Sequence, residues 1–275
     1  MGPREKSKRL ANPKYNRSNF MKVAVILPAA GLGTRMVRGA ADITGTSRKQ
    51  FMLLEGSPIL VHTVRKFAAC ARVTEIIVAL RREDLEWVED LLKQEISGIR
   101  LKVVEGGNSR QESVENAFAA LDPATELVAV HDAVRPFVDL DTINRALDEA
   151  EANGAAIVGI VPVDTVKQVS SAQAAGAKVR ATIPREKLVL AQTPQVFLRD
   201  ILAKAFQAAR ADNFTGSDES SLVERLDQIQ VSVVLGSERN IKITRPGDME
   251  LARLFLEQEH RQATALYPVA VRQVS

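Results

Sequence analysis

The chain lacks the residues that mark several common classes of protein. One cysteine, Cys70, in 275 residues leaves no internal disulfide and no set of thiolates for structural zinc. No apolar run reaches the roughly 20 residues that cross a bilayer, and the N-terminus has no apolar core of a secretory signal, so a cytoplasmic location is expected. A P-loop needs Gly-Lys-Ser/Thr, which occurs nowhere, and in the Gly-rich loop at 28–36 Met36 stands where a dinucleotide fingerprint requires a third small residue. What remains is a chain that is 45% apolar, enough for a substantial core.

The pI of about 9.0 invites a nucleic-acid reading. The charge distribution argues against it. Residues 1–20 hold six basic side chains and one acidic one, Glu5, which leaves 31 basic against 33 acidic in the rest. The basicity therefore belongs to a leader without apolar periodicity, expected to be disordered and solvated, and neither a nucleic-acid nor a membrane partner is expected.

From Lys22 onward, Val- and Ile-rich runs alternate with amphipathic segments, the pattern of a largely parallel sheet flanked by helices. Strands are predicted near 22–28, 75–80, 101–105, 126–131, 155–161, 230–235 and 240–244. Helices are predicted over 59–71, 85–96, from Asn108 or Ser109 to Leu121, 141–153, 198–210, 217–227 and 246–259, with Pro58, Glu83, Asp84 and the stop at Asn153-Gly154 supplying start and end chemistry. After Pro162 the rhythm breaks. Thr165–Ser170 and Lys178–Ile183 are β-prone around the small-residue stretch 171–177, so residues 162–187 read as an excursion hairpin that needs another subunit to pack on. The organisation expected is a leader over 1–20, one domain over 21–260 and a tail over 261–275.

Four constellations carry chemistry. The loop Pro28-Ala29-Ala30-Gly31-Leu32-Gly33-Thr34-Arg35-Met36 ends a buried strand in small residues, so backbone N–H groups can reach phosphate oxygens, with Arg35 and Lys49 (in Arg48-Lys49-Gln50) adding positive charge. Gly106-Gly107-Asn108-Ser109-Arg110-Gln111-Glu112-Ser113 follows another strand and opens the crevice where such sheets bind ligands. His131-Asp132-Ala133-Val134-Arg135-Pro136 places an aspartate suited to Mg²⁺ or a ribose hydroxyl beside an arginine that can orient it, while His131 reads as a structural strand-end residue. Late in the chain, Thr165, Arg185 and Lys242 suit a phosphomonoester, among the polar groups Gln192-Thr193-Pro194-Gln195, Asp218-Glu219 and Asn240 to Thr244. Each is an ordinary turn or ion pair when taken alone.

In order, these motifs resemble the 2-C-methyl-D-erythritol 4-phosphate cytidylyltransferase family of the non-mevalonate isoprenoid pathway, from about Val23 to Leu256. Arg-Lys-Gln-Phe at 48–51, Asp-Thr-Val-Lys at 164–167, Gln-Thr-Pro-Gln-Val-Phe at 192–197, Ser-Asp-Glu-Ser at 217–220 and Asn-Ile-Lys-Ile-Thr-Arg-Pro at 240–246 complete the match. The resemblance implies a Rossmann-like, three-layer α/β fold of the nucleotide-diphospho-sugar transferase type, with a mostly parallel sheet, helices on both faces and a protruding β-arm. It implies CTP bound by Ala29, Ala30, Gly31, Gly33, Gly107, Asn108, Ser113, Asp132 and Ala133. Arg35, Lys49 and Lys242 would be catalytic, with Mg²⁺ on Asp132. The sugar-alcohol phosphate would meet Thr193 and Arg135, and Thr165 and Arg185 reaching across a homodimer formed through the arm. In-line attack by the substrate phosphate on the CTP α-phosphorus would need no general base.

The chain departs from the family where Arg48 replaces a frequent proline, Asn108 an aspartate and Ser217 a threonine, and Arg239 leaves no second Mg²⁺ carboxylate. The related cytidylyltransferases acting on ribitol 5-phosphate are the nearest rival; Ala29-Ala30 and the segment 217–220 favour the isoprenoid family. From another class, a non-catalytic nucleotide-binding regulator would bind CTP without turnover.

Overall fold

A computed structural model describes residues 21–31, 48–171, 176–227 and 229–266. Strand β1 (Val23–Pro28) leads to the short pair β2 (Leu53–Leu54) and β3 (Ser57–Pro58), then α1 (Ile59–Ala68), β4 (Val73–Leu80), α2 (Leu85–Glu95), β5 (Arg100–Glu105), α3 (Arg110–Ala119) and β6 (Leu127–Val130). There follow α4 (Leu140–Asn153), β7 (Ala155–Ile160), the hairpin β8 (Val166–Val169) and β9 (Val179–Ile183), β10 (Leu190–Leu198), α5 (Arg199–Ala211), α6 (Glu219–Glu224), β11 (Ser232–Leu235) and α7 (Pro246–Leu266).

The sheet runs β11-β7-β10-β6-β1-β4-β5, and β10 alone is antiparallel to its neighbours. Side-chain alternation on β1 divides the core. Val23, Val25 and Leu27 face α1, α2 and α4, where Leu60, Val64, Phe67, Val88, Leu92 and Leu147 are buried. Ala24 and Ile26 face α3, α5 and α6 through Val114, Leu202, Phe206 and Leu222. These are the three layers expected of the fold. A third cluster seats α7 on β2, β3 and the 134–137 loop through Leu54, Phe137, Met249 and Leu256.

Local chemistry sets the element ends. Ser109 caps α3 by accepting from Glu112 N–H at 3.0 Å, Asp139 caps α4 through Thr142 N–H at 2.7 Å, and Gly154 ends α4 at φ +90°. The hairpin β8–β9 pairs only with itself among the described strands, as its sequence suggests.

One strand went unread in the sequence and two expectations are corrected. Residues 190–198 form a sheet strand, although Pro194 and two glutamines disguise it; the register shifts between Ala191 and Gln195, the kind of irregularity in which a strand tolerates proline. Residues 240–244 are not a strand, and among the described residues no strand pairs with the segment: Ile243 N–H donates once to Val134 O at 3.0 Å, while Asn240 turns inward. Helix α7 runs past Glu259 to Leu266, so the segment expected as a tail begins in helix. The leader, 32–47 with Gly33 and Arg35, and 267–275 lie outside the described residues.

Candidate active site

At the C-terminal edge of β1, β4, β5 and β6 lies a cavity of about 800 Å³, in the size range of small-molecule sites. The parallel strands and their crossovers bring three of the four sequence constellations to its wall: Ala29, Ala30, Gly31 and Lys49; Gly107, Asn108, Arg110 and Ser113; and Asp132 with Ala133, joined by Lys242 from the last.

The second loop is organised from within. Ser113 Oγ donates to Ser109 O at 2.8 Å and accepts from Gly107 N–H at 3.0 Å, while Glu112 accepts from Asn108 N–H at 2.7 Å. Gly106 passes so close to the first loop that a Cβ there would lie 2.7 Å from Ala30 Cβ and 2.9 Å from Ser113 Oγ. Only glycine allows the two loops to meet.

Asp132 is the electrostatic centre. Its Oδ2 meets Lys242 Nζ at 2.9 Å and Arg135 Nε at 3.1 Å, and its Oδ1 lies 3.6 Å from Arg110 Nε. Burial works to raise its pKa, yet Lys242, Arg110 and Arg135 together outweigh burial and hold the carboxyl well below the usual carboxylate range. Arg110 is itself held from behind, its Nη1 donating to both oxygens of buried Glu219 at 2.7 and 2.9 Å. Burial pushes the Glu219 carboxyl up against the pull of that arginine.

A hydrogen-bond chain fixes the Asp132 backbone. Asp132 N–H donates to Thr193 Oγ1 at 3.0 Å, Thr193 Oγ1–H donates to His131 Nδ1 at 3.0 Å, and His131 Nε2–H donates to Arg135 O at 3.0 Å. Because a carbonyl only accepts, the proton sits on Nε2. Burial lowers the His131 pKa to about 4, and its Nδ1 is already taken, so it is structural, as read from the sequence, and is no base. Thr63 Oγ1 donates to Ala133 O at 3.0 Å and steadies the next residue.

Thr193 and Arg135 thus stand behind Asp132 and do not line the cavity. Arg135 also donates to Asn240 O at 2.7 Å, and Asn240 to Thr193 O at 2.9 Å, which ties the Lys242 segment to the β10 strand. Thr165 and Arg185 belong to the hairpin region, are exposed, and are not brought to this cavity within one chain. Sequence reasoning missed Glu219 as the partner of Arg110 and Gln50 as a brace of the first loop, donating to Ala29 O at 2.7 Å and Gly31 O at 3.2 Å. Both stood inside quoted motifs, but nothing in spacing reveals a partner 109 positions away.

Residues 23–258 match the family model of 2-C-methyl-D-erythritol 4-phosphate cytidylyltransferase. The protein of that name from Solibacter usitatus is 67% identical over 244 residues, 89% of this chain and 99% of the relative. That from Acidobacterium capsulatum is 52% identical, over 86% and 98% of the two chains. Among solved structures, 4-diphosphocytidyl-2C-methyl-D-erythritol synthase of Anaerococcus prevotii superposes with TM-score 0.74 at 28% identity, covering 86% of this chain and 96% of that one. The cytidylyltransferase of Thermus thermophilus does so with TM-score 0.68 at 31% identity, covering 86% and 100%. The chain belongs to the 2-C-methyl-D-erythritol 4-phosphate cytidylyltransferase family.

Proposed function

We propose that the protein transfers the cytidylyl group of CTP to 2-C-methyl-D-erythritol 4-phosphate and releases pyrophosphate. The observation that carries this reading is a cavity lined by backbone of two glycine loops and by Lys49, Arg110 and Lys242, with the Asp132 carboxylate held ionised among cations, in a chain whose relatives bear that name. Backbone at Ala29, Ala30 and Gly31 with Lys49 and Arg35 would hold the triphosphate. Gly107, Asn108 and Ser113 would read cytosine, and Asp132 and Ala133 would meet the ribose.

The donor set fits Mg²⁺, which commonly takes one or two carboxylates and completes its shell with phosphate oxygens and water; Asp132 would hold it. When bound, the ion neutralises charge on the triphosphate oxygens. The remaining work falls to the chain. The attacking phosphate is already anionic, so no side chain need remove a proton. Lys242 would orient that phosphate toward the α-phosphorus, while Lys49 and Arg35 would offset charge gathering on the leaving oxygens.

Thr165 and Arg185 would complete the acceptor site from a second copy docked through the β8–β9 hairpin. The active enzyme is then a homodimer of one catalytic domain over 21–260, working in the cytoplasm. Pyrophosphate release from CTP and Mg²⁺ is the test: turnover with methylerythritol phosphate and none with ribitol 5-phosphate is expected. The reverse preference, or CTP binding without turnover, would overturn the proposal.

A further inference from the structure

Lys49 opens a single 3₁₀ turn, Lys49–Phe51, directly after Arg48. A lysine on a long flexible stem could gain little from preorganisation unless its backbone were fixed. Three neighbours fix it. Arg48 is buried, and its guanidinium grips buried Asp84 with both nitrogens, Nη2 to Oδ1 at 2.7 Å and Nη1 to Oδ2. Asp84 stands at the start of α2, where the sequence suggests helix-start chemistry, yet its carboxylate caps no backbone N–H there. It accepts instead from Arg48 and from Trp87 Nε1 at 3.1 Å. Phe51 is fully buried edge-on to Trp87, centroids 4.7 Å apart, with the Arg48 guanidinium 5.0 Å from its ring centre. On the other side, Gln50 holds the carbonyls of Ala29 and Gly31.

We infer that the Arg48–Asp84 pair is a positioning device for Lys49: it bolts the backbone next to Lys49 to the β4–α2 turn, so that the ammonium faces the triphosphate site before the ligand arrives. Neither residue touches substrate. Each acts through Lys49, and the inference rests on Lys49 as a phosphate-binding residue. A bidentate arginine suits this task because its planar fork fixes direction as well as distance, which a lysine at 48 would not.

The test is a double-mutant cycle on the full chain, with kcat and the KM for each substrate measured beside far-UV circular dichroism. Lys49→Ala comes first, with an expected loss of about 10²- to 10³-fold in kcat; near-normal turnover would refute the site reading itself. Asp84→Asn should lower kcat about tenfold, as expected for a misplaced catalytic charge, with the KM for the sugar phosphate unchanged. In the Lys49→Ala background it should then change kcat less than about twofold, because the group it positions is gone. An Asp84→Asn enzyme with wild-type kcat, or losses that multiply in the double variant, would overturn the inference while leaving the role of Lys49 intact. If Asp84→Asn does not fold, Arg48→Lys keeps the buried charges balanced and is judged in the same cycle by the same two outcomes.

Discussion

His131 offers the sharpest physical test, because its environment is closed on every side. The ring is fully buried, stacked edge-on against Phe67 at 4.7 Å, with Nδ1 accepting from Thr193 and Nε2–H donating to the Arg135 carbonyl. Protonation would place a second N–H against a hydroxyl whose oxygen already accepts from Asp132 N–H, and would bury a charge. Burial accordingly lowers the pKa from 6.5 to about 4, despite the pull of the Arg135 carbonyl and Asp132. At about 1.36 kcal/mol per decade this difference amounts to about 3 kcal/mol. The unfolded chain binds the proton first, so stability is fully present above the unfolded value and falls as the pH drops from 6.5 toward 4. Urea unfolding without divalent cations, at about pH 7 and about pH 4.5, should show His131→Asn losing about 2.5 kcal/mol less than the wild type across that interval. Taking the difference between the proteins removes His62, whose pKa burial also lowers. Whatever the substitution costs at neutral pH cancels too. Equal losses in both proteins would refute the reasoning.

Gly106→Ala should cost about 1–3 kcal/mol from overpacking and reduce the thermal shift given by CTP and Mg²⁺, because the new methyl forces apart Ala30 and Ser113, 2.7 and 2.9 Å from it; an unchanged shift would show that the loops need not touch. Glu219→Gln strips a buried carboxylate from Arg110 and should cost about 3 kcal/mol in urea unfolding, whereas an Arg110→Met, Glu219→Met double variant should cost less than either single methionine change; simple additivity would deny the pairing. Val179→Asp on the exposed β9 strand should yield monomers in sedimentation with reduced turnover; an active monomer would argue against a shared acceptor site.

The parts of the fold that could be read in the sequence are those whose signals are local. Strand β1 declares itself by five apolar residues before the glycine loop, and α4 by its amphipathic period between Asp139 and Gly154. Strand β10 hid because its residues answer to long-range partners: Gln192 donates to Ser237 O at 3.0 Å and Gln195 to Asp218 at 2.7 Å, so glutamines are buried where a strand reader expects valines. The reverse error fell on 240–244, where alternating Ile241 and Ile243 mimic a strand although no described strand pairs with the backbone there. The site divides in the same way. Loop glycines, Asp132 and Lys242 stand in recognisable strings, but Asp84 reads as helix-start chemistry until its partner, 36 positions earlier, is in place.

The electrostatics around Asp132 explain why so many anchors are needed. One carboxylate lies within 3.6 Å of three cations, and Glu219 neutralises only one of them from behind. With Lys49 on the same cavity wall, positive charge exceeds negative before any ligand enters. At an effective dielectric near 20, two like charges about 4 Å apart repel by about 4 kcal/mol, so an unbraced site would relax by swinging its flexible cations into water. Lys242 is checked by Asp132, Arg110 by Glu219, and Arg135 by Asp132 and the Asn240 carbonyl. Lys49, on the same wall, is constrained through its backbone as well, by Arg48 and Gln50 on either side of it. Side-chain ion pairs hold cations that can later turn from a carboxylate to a phosphate. Backbone anchoring suits one that must point at the phosphates from the outset.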